Sequence, residues 1–203
     1  LTKNYTMDND KKNSHYMLKS DLMANKSHVM IDIETMGHTT NAPITSIGCV
    51  EFDMNGNFIS EFEVVVDLKS SMECGCTPDA STIYWWLNQS YDARKFITRS
   101  DKVGLEKALG QLTTYLTGVQ PKKKSLFMWA NSPSFDCSIL RNSYDRVGLK
   151  PYWVVWNEMD LRTITNFAPD IKKEIKGDNA ENTMLHTPVE DCKMQIKILT
   201  SIC

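Results

Sequence analysis

The sequence predicts an α/β domain whose mixed central sheet opens with three antiparallel strands, takes parallel additions afterwards and is flanked by helices. Three observations predict it. Residues 28–66 hold three β-patterned runs, the last two joined at Met54-Asn55-Gly56-Asn57, whose Asn-Gly pair marks a tight hairpin turn. From residue 81 helical periodicity takes over, and a short apolar run, 126–130, interrupts it. The 203 residues, 41% hydrophobic and 24% charged, suffice for one domain with a sizeable core and are too few for two large ones.

The expected strands are 28–34, 44–52 and 58–66, the third carrying Phe58, Phe62 and the Val64-Val65-Val66 run. Helices are expected at 81–87, 92–97 and 105–116, where Leu105, Ala108, Leu109, Leu112 and Leu116 recur at helical spacing. Residues 126–130 form a buried strand. Ser132 as cap and Pro133 at the first position then start a helix reaching Val147, which Gly148 stops. Residues 152–156 are a last strand, 160–167 a helix and 188–202 the final helix. This order, βββ, α, β, α, β, α, is that of the ribonuclease-H-like fold. Residues 1–27, rich in Asn, Lys, Asp and Ser, read as a disordered or extension arm, with Met23 a natural start; the folded domain is 28–203.

Net charge is −2 and the pI about 6.1. That excludes a protein that coats a nucleic-acid backbone with a basic face; any grip on such a polymer must be local. No apolar run reaches membrane-span length and no stretch has a signal-peptide plan, so a cytoplasmic protein away from membranes is expected. Cys49, Cys74, Cys76, Cys137, Cys192 and Cys203 form no regular framework and read as free thiols. Cys74-Gly75-Cys76 lacks the second pair that a zinc site requires.

Chemistry is carried by three short motifs. Asp32 and Glu34 alternate with Ile31 and Ile33, so both carboxylates point to one face of the first strand. Side by side they repel unless a cation lies between them, and hard carboxylate oxygens suit Mg²⁺ or Mn²⁺; an ordinary solvated strand face is the plain alternative. Asp136 follows Asn131-Ser132-Pro133-Ser134-Phe135 at the start of a helix, where an acid also complements the dipole. Thr187 and Glu190 have capping-box spacing and Pro188 fits the first position, so His186 and Asp191 flank one helix start. Val189, Cys192, Ile196 and Leu199 make that helix's buried stripe, and Asp191 lies off it.

Asp-x-Glu, Phe-Asp at a central helix start and His-x₄-Asp opening the last helix, in that order, resemble the DEDDh (DnaQ-like) 3'→5' exonucleases. Pro188, where many members have a small residue, preserves the helix start. The segments 81–90 with Ala93-Arg94-Lys95, Ser134-Phe135-Asp136, Asp160-Leu161-Arg162-Thr163 and Asp191-Cys192 are similar to the branch containing the T-even phage exonuclease A and bacterial exoribonucleases. The resemblance implies two Mg²⁺ (or Mn²⁺) held by Asp32, Glu34, Asp136 and Asp191, with His186 as general base. The substrate would be a single-stranded 3' end, DNA in preference to RNA, and the products nucleoside 5'-monophosphates. Thr35 and Met36 would touch the terminal nucleotide. Trp85 or Trp86 would stack on a base, and Asn131 and Arg162 are further binding candidates. Arg141 is another, Arg162 could bind phosphate or make a structural ion pair, and Lys122-Lys123-Lys124 reads as a solvated loop. An exoribonuclease is the rival reading, and a non-catalytic nucleic-acid-binding protein of the same fold the rival from another class. A homo-oligomer is compatible with the sequence, which does not encode it legibly.

Overall fold

The computed structural model describes residues 26–178 and 187–203; the reading of 1–25 as an arm, and His186, lie outside the described residues. Strands β1 (Ser27–Thr35), β2 (Ile44–Phe52) and β3 (Phe58–Val65) form an antiparallel meander, and β4 (Leu126–Ala130) and β5 (Glu158–Asp160) add in parallel. The sheet order is β3-β2-β1-β4-β5, with β1 central. The β2–β3 connection turns at Gly56, whose φ of 86° only glycine adopts without strain.

The helices are α1 (Leu68–Glu73), α2 (Ala80–Leu87), α3 (Tyr91–Ile97), α4 (Leu105–Val119), α5 (Asp136–Arg146), α6 (Leu161–Phe167), α7 (Pro169–Asp178) and α8 (Pro188–Ile202). Two apolar layers sandwich the sheet. Val29, Ile31 and Ile33 of β1 face the α4 leucines together with Cys137, Leu140 and Tyr144 of α5. Met30 faces the other way, onto Leu161 and the Val189, Cys192, Ile196, Leu199 stripe of α8. Since side chains alternate, Asp32 and Glu34 share the Met30 face. Among the described residues no helix is long and apolar enough to cross a membrane.

Three expectations are corrected. Residues 152–156 do not form the last strand: a 3₁₀ turn, Val155–Asn157, precedes β5 at Glu158–Asp160. The central helix starts at Asp136, not at Pro133; residues 132–135 form a turn in which the Ser132 carbonyl accepts from Phe135 and Asp136 N–H, and Ser132 makes no side-chain cap. The capping box at α8 is absent, for Thr187 gives no side-chain cap bond and Glu190 pairs with Lys193 at 3.0 Å. Helices α1 and α7 were not foreseen.

His28 is buried on the α8 face, where its Nδ1 accepts from Trp129 Nε1 at 3.0 Å and its ring stacks on Phe127. Burial lowers its pKa. A histidine whose folded pKa lies below the unfolded one contributes stability above the unfolded value, about 6.5, and loses it as pH falls through the folded value. Urea unfolding between about pH 5 and 7 should therefore show a smaller acid loss in His28→Gln, which keeps an acceptor, than in wild type. Identical slopes would refute a neutral His28.

Candidate active site

In the β1–β2 register Asp32 lies opposite Gly48 and Glu34 opposite Ser46. Gly48 is the place where α8 lands. A Cβ built there would stand 2.5 Å from Pro188 Cβ and 2.7 Å from Val189 N, so only glycine lets the first turn of α8 lie against the sheet. The Cys192 thiol donates to the Met30 carbonyl at 3.4 Å, one residue along the same helix from Asp191. Docked in this way, α8 brings Asp191 over the acidic pair, and one ligand oxygen from each of Asp32, Glu34 and Asp191 lies within 4.8 Å of the other two.

Asp136 approaches from the other side of β1. As the first residue of α5, nearly buried at 5% exposure, it accepts hydrogen bonds from backbone N–H groups, including that of Ile33. Asp136 is outside the tight triad but lines the same cavity, about 240 Å³, with Asp32, Glu34, Asp191, Asn131 and Arg162.

Burial raises the Asp32 carboxyl well above its ordinary range, and the charges of Asp136, Glu34 and Asp191 add to the shift. Glu34 is pushed up to about 8 by burial, then by Asp191 and Asp136. Asp136 rises to about 7 through burial, against its backbone hydrogen bonds and the Arg162 charge. The cause is common: several carboxylates in one partly dry cavity, with too little positive charge among them. The donor set is all hard oxygen and the chain leaves its charge uncompensated, so the residues fit a divalent cation of the Mg²⁺ or Mn²⁺ kind.

A second cavity, about 520 Å³, opens beside Glu34 and is lined by Thr35, His38, Trp85, Trp86 and Phe135 among others. The two tryptophans have separate jobs. Trp86 is 3% exposed and its indole N–H donates to the Thr35 carbonyl at 2.9 Å, tying α2 to the end of β1. Trp85 is 45% exposed and meets Trp86 edge to face at 5.0 Å. Thr35 is buried, its hydroxyl donating to the Gly37 carbonyl. Met36 packs against the Trp86, Ala93, Ile97 cluster. Arg162 is exposed at the rim, its N–H donating to the Asn131 carbonyl at 3.2 Å.

Arg141 belongs to the structure: it pairs with Glu158, which also accepts from Trp153 Nε1 at 2.8 Å. The six cysteines are free, and among the described residues Cys74 and Cys76 join no metal-competent group. Sequence reasoning missed Gly48, His38, Phe135 and Gln195. Only Gln195 left a signal, one helical turn after Asp191 on the same face.

The family described as the 3'-5' exoribonuclease Rv2179c-like domain matches residues 27–203. The chain belongs to the DEDDh-type 3'→5' exonucleases. This exonuclease is also 31% identical over 159 residues to a protein of Enterobacteria phage T4 named exodeoxyribonuclease, covering 66% of this chain and 68% of the phage protein. Its fold is that of E. coli exonuclease I. The zinc-ion-bound form in complex with single-stranded DNA superposes with a TM-score of 0.63 at 15% identity over 87% of this chain and 41% of that one. The complex with a dA16 oligonucleotide gives 0.63 at 14% identity, again over 87% and 41%. The exonuclease thus spans about two fifths of those solved chains, and at such identity the likeness concerns fold alone.

Proposed function

We propose that this exonuclease removes nucleotides one at a time from the 3' end of single-stranded nucleic acid, DNA in preference, by a two-metal mechanism that releases nucleoside 5'-monophosphates. The observation that carries the proposal is the convergence of Asp32, Glu34 and Asp191 oxygens within 4.8 Å, with Asp136 in the same cavity. These four side chains would hold two Mg²⁺ or Mn²⁺. When bound, such ions would supply the charge stabilisation that a phosphodiester displacement needs. The chain's own residues do the rest. His186, placed by sequence five residues before Asp191, would take the proton from the attacking water, a task suited to a group titrating near neutrality. Trp85, Thr35 and Met36 would hold the terminal nucleotide, with Asn131 and Arg162 on the phosphate side. The working compartment would be the cytoplasm, where the thiols stay reduced.

RNA is the second reading, favoured by the description of the matching family as exoribonucleases. Matched 5'-labelled single-stranded DNA and RNA, offered with Mg²⁺, with Mn²⁺ and with chelator, separate the two. Shortening from the 3' end that requires the ion is expected, faster on DNA; cleavage that persists in chelator would overturn the mechanism. Trp85→Ala should raise KM by roughly 5–100-fold, the equivalent of one lost base–aromatic stack at about 1–3 kcal/mol, with a smaller effect on kcat. An unchanged KM would remove Trp85 from the binding surface.

A further inference from the structure

On α8 the residue one turn beyond Asp191 is Gln195, and its side chain reaches back to β1: Nε2 donates to Asp32 Oδ1 at 2.8 Å. Asp32 is the centre of the acidic cluster, and Gln195 has no carboxylate of its own to give. The far side of the amide is unusual, for Gln195 Oε1 is buried without a hydrogen-bond partner. Gln195 also lines a separate cavity of about 220 Å³ behind the acidic one, which shares Asp32, Asn131 and Asp191 with it. Leaving a buried carbonyl oxygen unsatisfied carries its full desolvation penalty. A methionine of similar length would avoid that cost, so packing alone does not explain a glutamine here. What the amide alone supplies is a donor to a carboxylate, and the amide orientation is dictated by it, since the flipped amide would set oxygen against oxygen.

Resting on the function proposed above, we infer that Gln195 is a positioning residue. It fixes the orientation of the Asp32 carboxylate relative to Asp191, so that both face the cation site together. Two features of the chain support the pairing. Asp191 and Gln195 stand four residues apart, hence on one face of one rigid helix. That helix is seated on the sheet through Gly48, the register partner of Asp32. The ligand and the group that orients its neighbour therefore move as one body. Groups that orient metal ligands in this way typically contribute 10–100-fold to metal affinity or activity.

The test uses the full chain, freed of metal, and Mn²⁺ as the probe. Calorimetric titration of Gln195→Met should give Mn²⁺ binding about 10–100-fold weaker than wild type, with KM for a 5'-labelled oligonucleotide unchanged and kcat reduced at limiting Mn²⁺. Thermal stability without metal should hold, because the orphaned oxygen and the donor to Asp32 Oδ1 are lost together. Gln195→Asn supplies the second arm. It keeps a buried amide but falls short of Asp32, and should bind Mn²⁺ as poorly as the methionine variant. Wild-type Mn²⁺ affinity in either variant would overturn the positioning role while leaving the exonuclease reading intact. A wild-type chain that shortens 3' ends without binding Mn²⁺ or Mg²⁺ would overturn both.

Discussion

Asp32→Asn is expected to slow 3'-end shortening by orders of magnitude and, in the same preparation freed of metal, to raise the melting temperature. The two effects have one origin. Burial, and then the like charges around it, lift the Asp32 pKa well above the carboxylate range, so ionising it in the folded chain is unfavourable without a cation. A carboxyl whose folded pKa is raised contributes its stability below the unfolded value and loses it as pH rises through the folded one. Asp136 and Glu34, raised to about 7 and about 8, carry the same sign. Asparagine removes a charge while keeping an oxygen for the Gln195 amide. At about pH 7.5 without metal the variant should therefore melt above wild type. Added Mg²⁺ should stabilise wild type and barely move the variant. The rate should fall by roughly 10²–10⁴, the equivalent of several kcal/mol of lost charge stabilisation. A variant that melts several degrees lower in chelator, or that degrades its substrate at the wild-type rate, would falsify this account.

Gly48→Ala should be the most damaging single-methyl change in the chain. The added carbon meets backbone as well as side chain, at 2.6 Å from Pro188 C and 2.7 Å from Val189 N, so no rotamer change relieves it. Either β2 bends or α8 lifts. Overpacking of this kind costs about 1–3 kcal/mol or more, and a shift of about 1 Å at Asp191 is enough to lose on the order of 10²-fold in rate. Gly110→Ala is the control. It lies within α4 with nothing near a new Cβ, and should stabilise by roughly 0.5–1 kcal/mol with activity unchanged. If Gly48→Ala matches wild type in rate, the docking of α8 at Gly48 does not govern the site.

The fold was legible where one interaction decides the backbone. Strand β2, strand β4 and helix α8 appear with the bounds expected, because an apolar run or a Pro-started helix leaves little choice. Residues 152–156 misled because β-branched and aromatic side chains there serve other partners. Trp153 packs edge to face on Tyr144, the Tyr152 hydroxyl donates to the Gln120 and Pro121 carbonyls, and Asn157 bonds the Lys124 and Leu126 carbonyls. The true strand, Glu158-Met159-Asp160, has almost no β-propensity and is held by pairing with Met128–Ala130 and by the Glu158–Arg141 pair. The four carboxylates were legible as types and spacings. Gly48 was not, since a glycine in a strand shows its purpose only when its neighbour across the fold is known. Trp85 and Trp86 were legible as a pair, but which one packs inward depends on the Thr35 carbonyl waiting for an indole N–H.

The acidic site joins the first strand of the domain to its last helix: Asp32 on β1 and Asp191 on α8 are separated by most of the chain. During synthesis on the ribosome the helix emerges more than 150 residues after the strand, at about 5–20 residues per second. For roughly 8–30 seconds at that pace each nascent chain holds β1, with Asp32 and Glu34, but not yet Asp191. The acidic cluster of this exonuclease therefore assembles only when α8 closes over the sheet.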